Sequence, residues 1–283
     1  MKKVRILNLG AGVQSTTIAL RIAAGEYPPI EAAIFADTQE EPSAVYRHLQ
    51  WLIEQTKDKF PTLVRTKGRI GDDLLRGDGG HGNRFASIPA FTLNAETGDT
   101  GKLKRQCTAE YKLDVIERTI RREVLGLKFR GRVPKDVEII QIMGLSFDEP
   151  GRILRTRANM TGTHFKPEFP LAESYETRAN CKEYLESVVP YEVPRSACVF
   201  CPFHNNEEWR RIKKTDPVAW ARAVEIDEGL RIPGLIVNRK MDQAMFLHRQ
   251  CVPLEQADIE GPDRQQLQYG LGFTRECLGM CGV

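Results

Sequence analysis

Seven cysteines, an odd number, make a disulfide framework a poor explanation for this chain and point instead to metal or redox chemistry. Two pairs have suitable spacing, Cys198-Val-Phe-Cys201 and Cys277-Leu-Gly-Met-Cys281. Cys107 stands before a predicted helix, where the helix dipole would stabilise a thiolate. Cys181 and Cys251 read as structural thiols. A second set of residues speaks of anions. Gly10, Ala11, Gly12, Val13, Gln14, Ser15 and Thr16 follow an apolar run and enter an apparent helix, so backbone N–H groups and the helix dipole point at a common place. Gly10 and Gly12 allow close backbone approach, and Ser15 and Thr16 add hydroxyls. The segment has neither the P-loop pattern nor the Gly-x-Gly-x-x-Gly dinucleotide pattern. A turn into a buried helix would also explain its glycines.

The elements that must position these residues alternate. Residues 4–9 read as a strand and 15–24 as a helix ended by Gly25. Residues 32–36 form a second strand, ending at Asp37 and Thr38, and a helical pattern runs through Tyr46, Leu49, Leu52 and Ile53 before a third strand at 62–66. This order predicts an α/β fold with an open, mainly parallel sheet and helices on both faces. The glycine-rich stretch 68–105 is too long for a routine connection and reads as a mobile or substrate-covering insertion, with disorder as the alternative. A helix over 109–124 and a strand over 137–145 follow. The strand ends at Gly144-Leu145-Ser146, which places the next segment, through Glu149 and Arg152, where ligands collect in open parallel sheets. The chain divides into residues 1–165 and a helical C-terminal extension over 166–283, in which one helix is expected through Trp209, Ile212, Trp220 and Ile226. Core packing is favoured over base stacking for both tryptophans.

Composition narrows the classes. At 41% hydrophobic residues the chain can bury a sizeable core. It lacks an apolar run near the roughly 20 residues that cross a bilayer and lacks a signal-peptide pattern, so a cytoplasmic protein with no membrane partner is expected. The net charge of +3 permits a nucleic-acid partner without requiring one. Arg118, Arg121, Arg122, Lys128, Arg130, Arg132 and Lys135 form a dense basic group, and Arg152, Arg155 and Arg157 form another. They suit phosphate backbones or simply solvated faces.

A family resemblance joins these pieces. Gly10-Ala11-Gly12-Val13-Gln14-Ser15 resembles the Ser-Gly-Gly-x-Asp-Ser pyrophosphate loop of the ATP pyrophosphatase and phosphoadenylyl-sulfate reductase superfamily. Phe35-Ala36-Asp37-Thr38 resembles its second-strand motif, and Gly144-Leu145-Ser146 with Glu149 and Arg152 resembles its Gly-x-x-x-x-Glu-x-x-Arg segment. Two departures stand out: Gly10 replaces the first Ser, and Gln14 takes the place of the Asp.

The resemblance covers roughly residues 4–205 and implies an adenine nucleotide α-hydrolase-like fold with a five-stranded parallel sheet. It further implies ATP or an adenylylated sulfate beside the first loop, with Asp37 close to the nucleotide and helping to position Mg2+. With ATP as substrate, an acceptor would be adenylated and pyrophosphate released, Ser15 donating to the departing phosphates and Lys112 and Arg152 adding phosphate contacts. Arg105-Gln106-Cys107-Thr108-Ala109-Glu110-Tyr111-Lys112 resembles the Cys-x-x-x-x-Lys region of sulfonucleotide reductases and related thiolation enzymes. With Cys198 and Cys201, Cys107 would hold a [4Fe–4S] cluster. The resemblance thus implies either thiolation of an activated tRNA or DNA acceptor from a sulfur donor, or reduction of a sulfonucleotide by a thiol. Zn2+ on Cys198, Cys201, Cys277 and Cys281 is the alternative metal, with His204 a further possible ligand. A nucleotide-sensing or nucleic-acid-binding module that retains the fold is the non-catalytic alternative. Phe203 is a candidate for ligand orientation, and His248 and Arg249 are candidates to approach the site.

Overall fold

A computed structural model describes residues 1–76, 88–232 and 243–261. Five strands make one wholly parallel sheet: β1 (Lys2–Leu9), β2 (Ala32–Asp37), β3 (Thr62–Thr66), β6 (Val137–Met143) and β7 (Phe165–Glu168), in the order β3-β2-β1-β6-β7. The chain builds outward from β1 through β2 to β3, then returns to add β6 and β7 on the other side. Connections therefore diverge at the carboxyl ends of β1 and β6, the topological switch point where open α/β sheets take their ligands.

Alternation along each strand gives the sheet two apolar faces. Leu7, Leu9, Ala33, Phe35, Ile140 and Ile142 face one side, against α1 (Val13–Ala24), α2 (Ser43–Thr56), α6 (Pro170–Glu173) and α7 (Arg178–Val188). Val4, Ile6, Ala32, Ile34, Ala36 and Ile139 face the other, against Val115, Ile116 and Ile120 of the helix over 109–124. That helix is α-helical at α4 (Asp114–Thr119) and π-helical at Ala109–Leu113 and Ile120–Val124. Burial on both faces explains why these strands read as continuous apolar runs. Gly25 ends α1 in the left-handed conformation at φ 82°, as expected from its position.

A second core lies beside the sheet. The described parts of the 68–105 stretch contribute α3 (Ile70–Arg76) and the hairpin of β4 (Phe91–Leu93) and β5 (Thr100–Lys102). β8 (Ala244–Phe246) pairs antiparallel with β4, so the insertion and the C-terminal region share a three-stranded sheet. Ile70, Leu74, Ile88, Tyr111, Phe200, Trp209, Ile226 and Met245 pack together there. Ile70, Leu74, Ile88 and Ala90 anchor this stretch, expected to be a mobile or substrate-covering insertion, in a core, while residues 95–102 are exposed and residues 77–87 lie outside the described residues. The expected single helix around Trp209 and Trp220 is two, α8 (Asn206–Thr215) and α9 (Pro217–Gly229). Pro217 cannot continue α8, and Asp216 accepts a hydrogen bond from Ala219 N–H to cap α9. Trp209 is fully buried, as expected of a core residue. Among the described residues no helix is long and apolar enough to cross a membrane.

Candidate functional site

The first loop is held open by its own backbone and by Ser15. From β1 the chain turns through Ala11, a non-glycine residue at φ 53°, and enters α1 with Gly12 as the extended residue before it. Ala11 is fully buried in this left-handed conformation, which L-residues adopt at a cost of about 1–2 kcal/mol. Such strain persists only where surrounding packing imposes it. Ser15 Oγ accepts from the N–H groups of Gly10 (3.2 Å) and Gly12 (3.3 Å). The first turn of α1 contains no acidic residue to offset its positive end. Gly144 closes the arrangement from β6: a Cβ there would stand 3.0 Å from Ser15 N and 3.3 Å from its Cα. A glycine here lets the end of β6 approach the first turn of α1 this closely without displacing it.

Above the loop lies an open cleft of about 430 Å³, lined by Asn8, Gly10, Gly12, Val13, Gln14 and Ser15 from the first segment, Gly144 from the end of β6, and Arg178, Arg195 and Ser196. Two guanidinium groups supply the positive charge that the loop's own side chains lack. Asn8 Oδ1 is buried without a hydrogen-bond partner among the described residues, an acceptor that a ligand donor would satisfy.

Gln14 has a specific local reason to be an amide. Its Nε2 donates to Glu149 (2.6 Å) and Ser146 Oγ (3.0 Å), and its Oε1 accepts from Arg178 (3.0 Å). A carboxylate at position 14 would meet the Glu149 carboxylate instead. Glu149 also accepts from Ser146 N and Oγ, both at 3.2 Å, and pairs with Arg152. The Gly144-to-Arg152 segment therefore clamps the helix start through Gln14, and Arg152 joins it through Glu149. The hydroxyl of Thr16 turns away to His48 Nε2 at 2.9 Å. Asp37 Oδ1 accepts from Gln39 N (2.7 Å) and Tyr46 OH (2.8 Å) at the end of β2 and lines neither cavity described here. Burial, followed by the charge of Asp37, pushes Tyr46 well above the usual phenol range and keeps it a neutral donor.

A second cavity of about 450 Å³ adjoins the first. Cys107, Cys198 and Cys201 all line it, with Thr38, Lys112 and Phe203. Cys201 N–H donates to the Cys198 carbonyl (2.9 Å), closing the turn that presents both thiols, and Cys198 Sγ lies 3.2 Å from Thr38 Oγ1. Ile70, Ile88 and Phe200 make the remaining wall largely apolar. Three cysteines distant in sequence are thus brought to one space. Among the described residues no three His, Cys, Asp or Glu side chains converge to hold a single metal ion. Cys277 and Cys281 lie outside the described residues. His204 Nε2 bonds the Cys198 carbonyl at 2.9 Å and its ring packs edge-on against Trp209. His248 Nε2 meets Asn206 Oδ1 at 3.1 Å, and neither His248 nor Arg249 lines either cavity. Cys181 and Cys251 are buried elsewhere, and burial pushes the Cys181 thiol up to about 11. That is the behaviour of the inert structural thiols expected from sequence.

A buried chain links the two cavities. Lys112 Nζ donates to Glu41 Oε1 (3.2 Å), and Glu41 Oε2 accepts from Ser196 Oγ (3.2 Å). Lys112 faces the cysteines, whereas Ser196 faces the loop cleft. The irregular segment from Arg195 to Cys201 forms part of both walls. Asn8, Glu41, Arg178, Arg195 and Ser196 escaped the sequence reading. The nearest signal was Arg195-Ser196 immediately upstream of the Cys198 pair; nothing in the spacing marked Arg178.

In comparisons with known proteins, no family model, curated protein or solved structure matches the chain.

Proposed function

We infer that this protein is an ATP-using enzyme that adenylates an acceptor oxygen and that its cysteine cavity then serves replacement of that oxygen by sulfur. The observation that carries the reading is the shared wall: Arg195 and Ser196 line the loop cleft, and Cys198 and Cys201 line the adjoining cavity. A site for leaving phosphates and a site for thiol chemistry stand side by side.

In the first step the acceptor oxygen attacks the α-phosphorus of ATP, the bond from that phosphorus to the bridging oxygen breaks, and pyrophosphate departs. Loop N–H groups, the positive end of α1, Arg178 and Arg195 are placed to take up the departing charge. The phosphate charge left over would be offset by Mg2+ travelling with the nucleotide. Hydrogen sulfide from a sulfur donor then attacks the activated carbon, the bond from that carbon to the AMP oxygen breaks, AMP leaves with the oxygen, and the sulfur's proton passes to solvent. Lys112, held by Glu41, shares the cavity wall with the three cysteines.

In this reading the group held there is a [4Fe–4S] cluster, supported by the three cysteines lining one apolar space. Cys107, Cys198 and Cys201 would hold it, and such a cluster supplies an iron free to take sulfide.

Release of AMP and pyrophosphate, measured with tRNA, DNA and small acceptors added separately, tests the activity. Strict dependence on one acceptor, lost in Arg195→Ala, is expected. Saturable ATP binding without turnover in the presence of every acceptor would assign a sensing module. Thiol-dependent sulfite release from a sulfonucleotide, without pyrophosphate release, would assign the reductase chemistry. Iron and zinc analysis with an ultraviolet–visible spectrum of anaerobically purified protein tests the cluster; a colourless, iron-free, zinc-loaded protein overturns it.

A further inference from the structure

The end of the 109–124 helix remote from the cysteines carries a different kind of surface. Arg118, Arg121 and Arg122 on the helix, with Lys128 and Arg130 from the loop after it, line an open groove of about 660 Å³. Asp114 and Glu117 line it too, but Glu117 is tied to Arg121 at 2.9 Å, so five cations face two carboxylates. Arg118, Lys128 and Arg130 are exposed and form no ion pair among the described residues. Like charges gathered in this way repel one another, and an anionic ligand would relieve the repulsion.

An aromatic ring stands beside the groove, against two of its lining arginines. Phe129 is 76% exposed, and the guanidinium carbons of Arg122 and Arg130 stand 5.1 Å and 5.3 Å from its ring centre. Cation–π contacts thus hold an apolar ring in water beside a row of positive charges. Cations can follow successive phosphates, and a flat ring can stack an unpaired base. A duplex hides the faces of its bases, and an anionic membrane or acidic peptide offers charge without them.

We propose that this groove binds single-stranded nucleic acid, with its phosphodiesters on Arg118, Arg121, Arg122, Lys128 and Arg130 and an unpaired base on Phe129. As a binding surface the groove stands by itself; as the dock for the acceptor, it rests on the adenylation reading. The 15 residues from Cys107 to Arg122 span about 22 Å at helical rise, a distance that about six or seven nucleotides cover at a 3.4 Å spacing. A strand held in the groove can therefore extend to the cysteine cavity.

The test is fluorescence anisotropy without ATP, using a labelled unstructured RNA, a DNA of the same sequence, and that DNA as a duplex. Single strands should bind more tightly than the duplex. Phe129→Ala should weaken single-strand binding about tenfold and leave duplex binding unchanged. The pair Lys128→Glu with Arg130→Glu should weaken binding at least tenfold and flatten its salt dependence, and Arg118→Glu, on the helix rather than the loop, gives an independent reading. Thermal melts establish that each variant is folded. Unchanged affinity in these folded variants, preference for the duplex, or binding to anionic vesicles but not to oligonucleotides would overturn the proposal. ATP binding, followed separately, should be unaffected by all of these substitutions. Its absence in the wild-type protein would undo the adenylation reading while leaving the nucleic-acid result intact.

Discussion

The loop cleft and the cysteine cavity adjoin, yet they are built in opposite ways. Most of the cleft comes from one contiguous segment, in which β1, the strained turn at Ala11 and the start of α1 follow one another, with Gly144 packed against Ser15. Its contribution from afar is charge, from Arg178 and Arg195. The cavity has no such local seed. Thr38, Ile70, Ile88, Cys107 and Cys198 come from separate parts of the chain and meet only through the second core. The contrast teaches that a backbone anion site is a property of a short stretch, whereas a thiol site of this kind belongs to the tertiary structure. It also locates their coupling in the Lys112–Glu41–Ser196 chain.

The largest expected effect comes from breaking that coupling. Glu41→Ala removes a carboxylate paired with a buried lysine and should destabilise the protein by about 3–5 kcal/mol in urea unfolding. Loss of stability with no change in either nucleotide affinity or cysteine alkylation rate would separate the two sites after all.

Acid should act on the cleft side through His48. Burial pushes His48 down to about 4, and the ring holds Thr16 and Tyr191 at 2.9 Å and 3.1 Å. The unfolded chain accepts this proton near pH 6.5, so stability from the neutral ring is full above pH 6.5 and is lost as pH falls toward 4, by about 3 kcal/mol. Urea unfolding from pH 7 to pH 4 should show this slope, and His48→Gln should reduce it. Because His48 is tied to α1, nucleotide affinity should decline over the same range.

A smaller change sharpens the comparison further. Gly144→Ala places a methyl group against the Ser15 backbone and should cost about 1–3 kcal/mol. Nucleotide binding should weaken in this variant while cysteine alkylation proceeds as before. An equal effect on both would mean that the cavities respond as one unit.

Much of the scaffold was legible before any coordinates. Apolar runs at β1, β2 and β6, separated by helical patterns, specify a parallel sheet because strands buried on both faces must be apolar throughout. The helix boundary at Gly25 was equally plain. β4, β5 and β8 were not, since three-residue strands are too short to show alternation, and β4 finds β8 across about 150 residues. The division between α8 and α9 was announced by Asp216-Pro217 but hidden by the apolar spacing that continues across it.

At the site itself, Gln14 shows the limit best. Read alone it is a missing carboxylate; in place, it is the amide that Glu149 and Arg178 require. The sequence by itself determined the sheet, the turn into α1 and the residues able to do thiol chemistry, because backbone conformation and apolar periodicity are local properties. Tertiary structure alone decided that Arg178 and Arg195 charge the cleft, whereas the meeting of Cys107 with Cys198 and Cys201 was expected only from the family resemblance. Packing of the second core sets those distances, and no spacing along the chain encodes them.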